Sequence, residues 1–399
     1  MKFAHLADCH IGGWREQNLR DLGLKSFEKA IDICITNHTA FILISGDLFN
    51  TALPQIELIK ETARILRKAK EHNIDIYIIP GSHDFSNSGK TMLDVLENSG
   101  LVENVFKVKE NKLIITEDKT GVKLAGMLGR KGSLEKKDYE NLDFKDIEEE
   151  KGFKIFMFHT ALEEFKPSDL DKVDCMNTNE LPKTFNYYAG GHVHYRFETN
   201  FGKGKLVFPG ALFPNNFKEL EEFRNGSFYL VDDKLNTELV EIPIKEVLSY
   251  HINANDKIPN QITDEILNKV NDFNDKIVLL RIEGTLKSGK TSDIDFKLIN
   301  EKLKDSYIVL RNTNKLETKS FEEVEIKKGN VEDIEENIVK EHLGQIEVNN
   351  LTKEQEQKMI KILMELLNAE KEEGEKNYDF EDRLYKSFIE ELKLKEAFG

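Results

Sequence analysis

Half of the chain's 10 histidines stand in five short motifs that also hold a run of aspartates. The motifs are Asp8-Cys9-His10, Gly46-Asp47, Gly81-Ser82-His83-Asp84, His159 at the end of FKIFMFH, and Gly191-His192-Val193-His194. Imidazole and carboxylate donors suit Mn2+, Fe2+ or Zn2+, and the lack of cysteine thiolates beside them argues against a structural zinc. Asp8, His10, Asp47, His159, His192 and His194 exceed what one ion needs, so the set predicts two ions sharing a carboxylate. Two ions about 3.5–4 Å apart stabilise both the attacking and the leaving oxygen of an in-line phosphoryl displacement. One such motif is weak evidence, since a D-x-H or G-D after an apolar run arises often by chance. The repetition of one placement five times is the signal.

That placement belongs to the elements that precede the motifs. KFAHLAD, FILISGD, DIYIIPG, FKIFMFH and NYYAGGHVH read as strands, and each delivers its polar residues at its C-terminal end. In open α/β sheets this is the end where sites are built. An extended backbone in Asp8-x-His10 and His192-x-His194 sends both flanking side chains to one face. Amphipathic helices are expected at 18–37, at Pro54–His72 with proline in the first turn, and near Lys90–Asn98. Strands apolar on both faces predict sheets covered by helices, hence an α/β class.

The pattern changes near Leu239. Residues 239–314 read as a small β-α-β-α-β unit, in which KSGKTSD (Lys287–Asp293) is a turn and not a phosphate loop. A charged linker is expected at 315–330, followed by a helical region at 331–399 with Met359, Ile360, Leu363, Leu366 and Leu367 at helical spacing.

The 399 residues suffice for a large core and a further domain, and no apolar stretch approaches the ~18 residues of a membrane span. The N-terminus lacks a signal-peptide h-region, so a cytoplasmic protein is expected. Three cysteines make no disulfide framework. A net charge of −16 permits a nucleic-acid partner only through bound cations and a local basic rim, for which Arg15, Arg20, Arg130, Lys131, Lys203 and Lys205 are the candidates.

The ordered set DxH…GD…GxH[DE]…H…GHxH resembles the calcineurin-like metallophosphoesterase superfamily. MKFAHLADCHIGG, ISGDLFNTALP and GGHVHYRF, with a small following domain and a helical tail, resemble its archaeal Mre-eleven branch of double-strand-break repair nucleases, the counterpart of bacterial SbcD. The resemblance implies a two-sheet sandwich flanked by helices at 1–238, a small α/β domain at 239–314 that caps DNA, and a tail that binds an SbcC-type ABC ATPase. It implies one manganese on Asp8, His10, Asp47 and His194 and a second on Asp47, His159, His192 and residue 82. That branch has asparagine at 82, where this chain has Ser82, and several members have histidine at position 50, where this chain has Asn50, a substrate-positioning candidate. By the same resemblance His83 is catalytic, facing the scissile phosphate. Helices bearing Leu58, Ile59, Ile65, Leu66, Met92, Leu93 and Leu96 would meet their mates in a homodimer.

The expected function is therefore a manganese-dependent DNA nuclease, a 3′–5′ exonuclease on duplex ends and an endonuclease on single strands, working in break repair. The alternatives are a dinuclear-metal phosphatase and a DNA-end-bridging scaffold that Ser82 leaves catalytically weak. Against the phosphatase, GDLFNTA lacks the arginine of the G-D-x-x-D-R-G pattern.

Overall fold

A computed structural model describes residues 1–85, 91–166, 175–318 and 377–391. Two six-stranded sheets lie face to face. The first runs in the order Thr237–Ile242, Gly226–Asp232, Lys2–Leu6, Phe41–Ser45, Asp75–Ile79, Glu103–Asn104. The second runs Arg196–Phe201, Gly204–Pro209, Tyr187–Gly191, Lys154–His159, Lys123–Gly126, Thr116–Glu117. The central strands of each sheet are parallel, with antiparallel strands added toward the edges.

Strand period explains the layering. Phe3, Phe41, Leu43, Tyr77 and Ile79 of the first sheet meet Ile155, Met157, Tyr187, Ala189 and Val207 of the second, forming the inner core. Their sequence neighbours Ala4, Leu6, Ile42, Ile44, Ile76 and Ile78 point outward, onto Phe27, Ile31, Ile65 and Leu66 of helices Gln17–Thr36 and Ile56–Glu71. The outer face of the second sheet has its own core, built on Phe156, Phe158, Tyr188 and Phe208. His5, one of the histidines outside the motifs, ties the sheets together. Its ring nitrogens lie 2.9 Å from Tyr187 Oη and 3.1 Å from Ser45 Oγ, and full burial lowers its pKa to about 3.

Two helix starts differ from the sequence reading. Ile56–Glu71 begins after Pro54, which lies outside the first turn, because Gln55 takes the extended N-cap conformation. The third helix is Met92–Asn98, opened by Thr91, whose N–H donates to Asp94 at 2.9 Å.

The last strand of the first sheet, Thr237–Ile242, spans residue 239, where the sequence pattern shifts. Beyond it Val247–Asn253, Ile277–Leu286, Ile308–Asn312 and Leu316–Thr318 form a separate parallel sheet. Val278, Leu280 and Ile282 face helices Pro259–Lys269 and Phe296–Lys302, while Ile277 and Leu279 turn to Leu19, Leu22, Phe213 and Leu220 of the larger body. KSGKTSD, expected as a turn, is a bend at 287–289 followed by a short 3-10 helix, Thr291–Asp293. Of the stretch expected as linker, Leu316–Thr318 is a strand, because it completes the edge beside Gly284–Leu286. Asn377–Glu391 is a helix. The remaining helical expectation for the tail, including the Met359–Leu367 stripe, lies outside the described residues.

Candidate metal centre

The C-terminal ends of the parallel strands open onto one rim, and the five motifs meet there. The chain reaches it by sharp turns. Asp8, His10, Asp47 and His192 have φ of 50°, 42°, 52° and 86°. Side chains other than glycine adopt this left-handed region at a cost of about 1–3 kcal/mol each. The expectation that extended backbone aligns Asp8 with His10 and His192 with His194 is thus corrected: left-handed turns bring these side chains together.

Main-chain bonds hold the turns. Asp8 N–H donates to Gly46 O at 3.1 Å, His10 N–H to Asp47 O at 2.9 Å and Ile11 N–H to Leu48 O at 3.0 Å. The buried Asp84 carboxylate accepts from the N–H groups of Leu48, Phe49 and Gly81 at 3.0–3.2 Å, locking the second and third motifs together. Two glycines leave no room for a side chain. A Cβ on Gly46 (φ +87°) would lie 2.1 Å from His159 Nδ1, and one on Gly191 would lie 1.9 Å from Ser45 O.

Inside this frame the donor atoms crowd. Within each of three groups, Asp8/His10/His194, His10/Asp47/His83 and Asp8/Asp47/His159, one atom per residue lies within 4.8 Å of the others. Asp47 Oδ2 is 3.2 Å from His159 Nε2, 3.7 Å from His10 Nε2 and 3.3 Å from Ser82 Oγ. Asp8 Oδ1 is 3.8 Å from His194 Nε2 and 4.0 Å from His10 Nε2. The His192 N–H donates to both Asp8 oxygens at 3.0 and 3.1 Å, and its ring stands 5.1 Å from that of His159.

The tautomers follow from the outer partners. His159 Nδ1 faces the Ser45 carbonyl at 2.8 Å and must donate to it, and His194 Nδ1 donates to Glu219 Oε1 at 2.8 Å. In the neutral ring each Nε2 is then a bare lone pair aimed into the cradle. His194 Nε2 faces His10 Nε2 at 3.0 Å, His10 Nδ1 is buried without a hydrogen bond among the described residues, and His159 Nε2 is buried against the Asp47 carboxylate at 3.2 Å. Two nitrogens each about 2.1 Å from one ion, at right angles, lie about 3.0 Å apart. The donor set therefore fits a pair of divalent ions.

Protein groups alone titrate far from their usual ranges. Burial works against a charged His159, but the Asp47 and Asp8 carboxylates outweigh it and lift the ring to about 10. Against the same burial, Glu219 and Asp8 lift His194 to about 9. Burial lowers His10 and His192 to about 3 and raises Asp8 to about 7. Asp47, although buried, is held well below the carboxylate range by His159. Protons on His159 and His194 and cations thus compete for the same carboxylate field.

Asp8, His10, Asp47, Ser82, His83, His159, His192 and His194 are all at the rim. His83 Nδ1 donates to the Asn50 carbonyl at 2.8 Å, so Asn50 acts on it through the main chain. Arg130 adjoins the rim but is paired with Asp138 at 2.7 Å and lies over Phe85. Arg15 and Lys131 are exposed, and Arg20 is turned back onto the carbonyl of Trp14. Lys203 and Lys205 are not brought together with the others. Lys205 pairs in register with Tyr187, at the start of the strand whose far end carries the motif, roughly 13 Å of strand away. Sequence reasoning missed Glu219, the Ser45 carbonyl and the tethering role of Asp84. Glu219 had one signal, its position three residues after the helix-capping Asn216.

A family model for calcineurin-like phosphoesterases matches residues 1–196. The DNA double-strand break repair protein Mre11 of Methanocaldococcus jannaschii is 27% identical over 357 residues, covering 85% of this chain and 93% of that protein. Its namesake in Methanococcus maripaludis is 30% identical over 319 residues, covering 71% of this chain and 82% of that protein. The chain belongs to the Mre11 family of calcineurin-like phosphoesterases.

Proposed function

We propose that the chain is a manganese-dependent nuclease of DNA double-strand-break repair, cutting duplex ends 3′–5′ and single strands internally. By family it is a metal-dependent phosphodiesterase. The observation that carries the reading is the convergence of His10, His159 and His194 nitrogens on the paired Asp8 and Asp47 carboxylates. Asp8, His10, Asp47 and His194 would hold one ion; Asp47, Ser82, His159 and His192 the other. When bound, the ions supply Lewis-acid stabilisation of phosphate oxygens and lower the pKa of water.

The remaining work falls to side chains. His83 is fixed by the Asn50 carbonyl on Nδ1, which leaves Nε2 to face substrate. A ring so held carries its donatable proton on Nε2 only as imidazolium, so His83 would act as the acid toward the leaving oxygen or as a cationic hydrogen-bond donor. His83→Ala should abolish cleavage of labelled duplex DNA in Mn2+ while metal content is retained; loss of metal would contradict the role. Comparing that cleavage with hydrolysis of p-nitrophenyl phosphate separates the nuclease from a phosphatase. Robust monoester turnover without DNA cleavage would reverse the reading.

The domain assignment belongs to the same proposal: 1–238 as nuclease, its last strand running on to Ile242, 239–314 as DNA cap, its edge strand running on to Thr318, the remainder of 315–330 as linker and 331–399 as the docking region for an SbcC-type ABC ATPase. A homodimer through helices Ile56–Glu71 and Met92–Asn98 is part of the same proposal, with Leu53 and Ile56 exposed at the start of the first; of the interface candidates, Ile65, Leu66, Leu93 and Leu96 are instead buried in the subunit's own core, and Leu58, Ile59 and Met92 pack against it. Deleting residues after 330 should spare Mn2+-dependent cleavage and remove partner capture in a pull-down. No described helix is long and apolar enough to cross a membrane.

A further inference from the structure

Helix Phe217–Phe223 stands between the metal centre and the small parallel sheet and touches both. Toward the centre, Glu219 Oε1 accepts from His194 Nδ1 at 2.8 Å, while Glu219 Oε2 accepts from Asn215 N–H at 2.7 Å. Toward the sheet, Glu221 receives Arg281 through Nε at 2.9 Å and Nη2 at 2.6 Å, and Ser249 Oγ at 3.1 Å. The Arg281 guanidinium also lies 5.1 Å over the Phe217 ring, and Leu220 is buried with Val247, Ile277 and Leu279. Positions two apart on a helix differ by about 200°, so Glu219 and Glu221 necessarily address opposite sides.

The helix has only seven residues, too few to hold its own shape. Its position is set by what grips it, and a two-pronged arginine–carboxylate pair is a directional grip. A shift on the Arg281 side must move the Glu219 carboxylate, and with it the ring plane of His194. We propose that Glu219 is a positioning residue for His194, and that through this helix the Glu221–Arg281 pair makes cation affinity at the His194 position depend on how the small sheet is seated. The inference rests on the metal-centre reading above. By reciprocity, anything that reseats the small sheet changes metal affinity, and metal uptake changes the seating.

The test is Mn2+ binding to the full chain by calorimetry, with a thermal melt confirming that each variant is folded. Glu219→Gln should weaken one of two binding events about tenfold and leave the other. Arg281→Ala or Glu221→Gln, neither touching a ligand, should weaken that same event about threefold. Arg281→Lys, which keeps the charge beside Glu221 and Glu283 but loses the fork, should recover part of the loss. In the protein without added metal, the 15N resonance of His194 Nδ1 should move in Arg281→Ala, a change that general destabilisation would not produce. If Arg281→Ala leaves both events and the resonance unchanged, or weakens both events equally, the coupling is overturned while the metal centre stands. If the unaltered chain takes up no Mn2+, the metal-centre reading falls and the coupling with it.

Discussion

The two halves of the metal cradle use the same side-chain types but orient them differently. His159 is aimed by a main-chain carbonyl, Ser45 O, in the middle of the double sheet, with Gly46 and Gly191 packed against it. His194 is aimed by a side chain, Glu219, on a short helix at the margin of the body. One half is therefore as rigid as the sheets themselves, and the other can be adjusted. The groups that aim the two histidines thus lie in different parts of the fold, while Asp47 Oδ2 faces both His159 and His10.

The comparison breaks most completely at Asp47. Asp47→Ala removes the oxygen that faces His159 and His10, and should abolish binding of both ions by calorimetry. Retention of one tight site would show that Asp47 is not shared. Next is the rigid half: Gly191→Ala forces a Cβ against the Ser45 carbonyl and should destabilise the fold by about 3 kcal/mol in denaturant unfolding. An unchanged midpoint would mean the rim yields easily and the contrast between the halves is lost.

A third test uses protons. His159 and His194 are lifted to about 10 and about 9, so at pH 7 both carry a proton that a metal must displace. Apparent Mn2+ affinity should therefore rise with pH from 6 toward 9, and calorimetry in buffers of different ionisation enthalpy should show between about two and three protons released per chain at pH 7, the part above two coming from Asp8, raised to about 7. An affinity flat with pH would contradict this. The smallest effect is expected at residue 82. Ser82 Oγ lies 3.3 Å from Asp47 Oδ2, close enough to donate to it. Ser82→Asn should strengthen the second binding event severalfold, on the order of 1 kcal/mol. No gain would mean that Ser82 is no handicap.

Much of this centre was legible because residue type and strand-end spacing carry the chemistry. Asp8, His10, Asp47, His83, His159, His192 and His194 announce themselves without coordinates. The left-handed turns at Asp8 and His10 do not, because no glycine stands in them; at Asp47 the preceding Gly46, itself left-handed, is the one mark. The Ser45 carbonyl is main chain and leaves no trace in side-chain identity. Glu219 follows His194 by 25 positions on a separate helix, and its capping pattern with Asn216 points to a helix start, not to a histidine. The α/β class was readable from strands apolar on both faces and the two-sheet sandwich from the family resemblance, but placing Lys203 and Lys205 needed strand direction. The Gly204–Pro209 strand runs parallel to Tyr187–Gly191, so its first residues lie at the end away from the rim.

On the function proposed above, one rim holds two cations on a shared carboxylate. Anomalous diffraction from crystals grown with Mn2+ tests it most directly. Two peaks about 3.5–4 Å apart are expected, flanking Asp47, one beside His10 and His194 and the other beside His159 and His192. A single peak, or none within reach of Asp47, would contradict it.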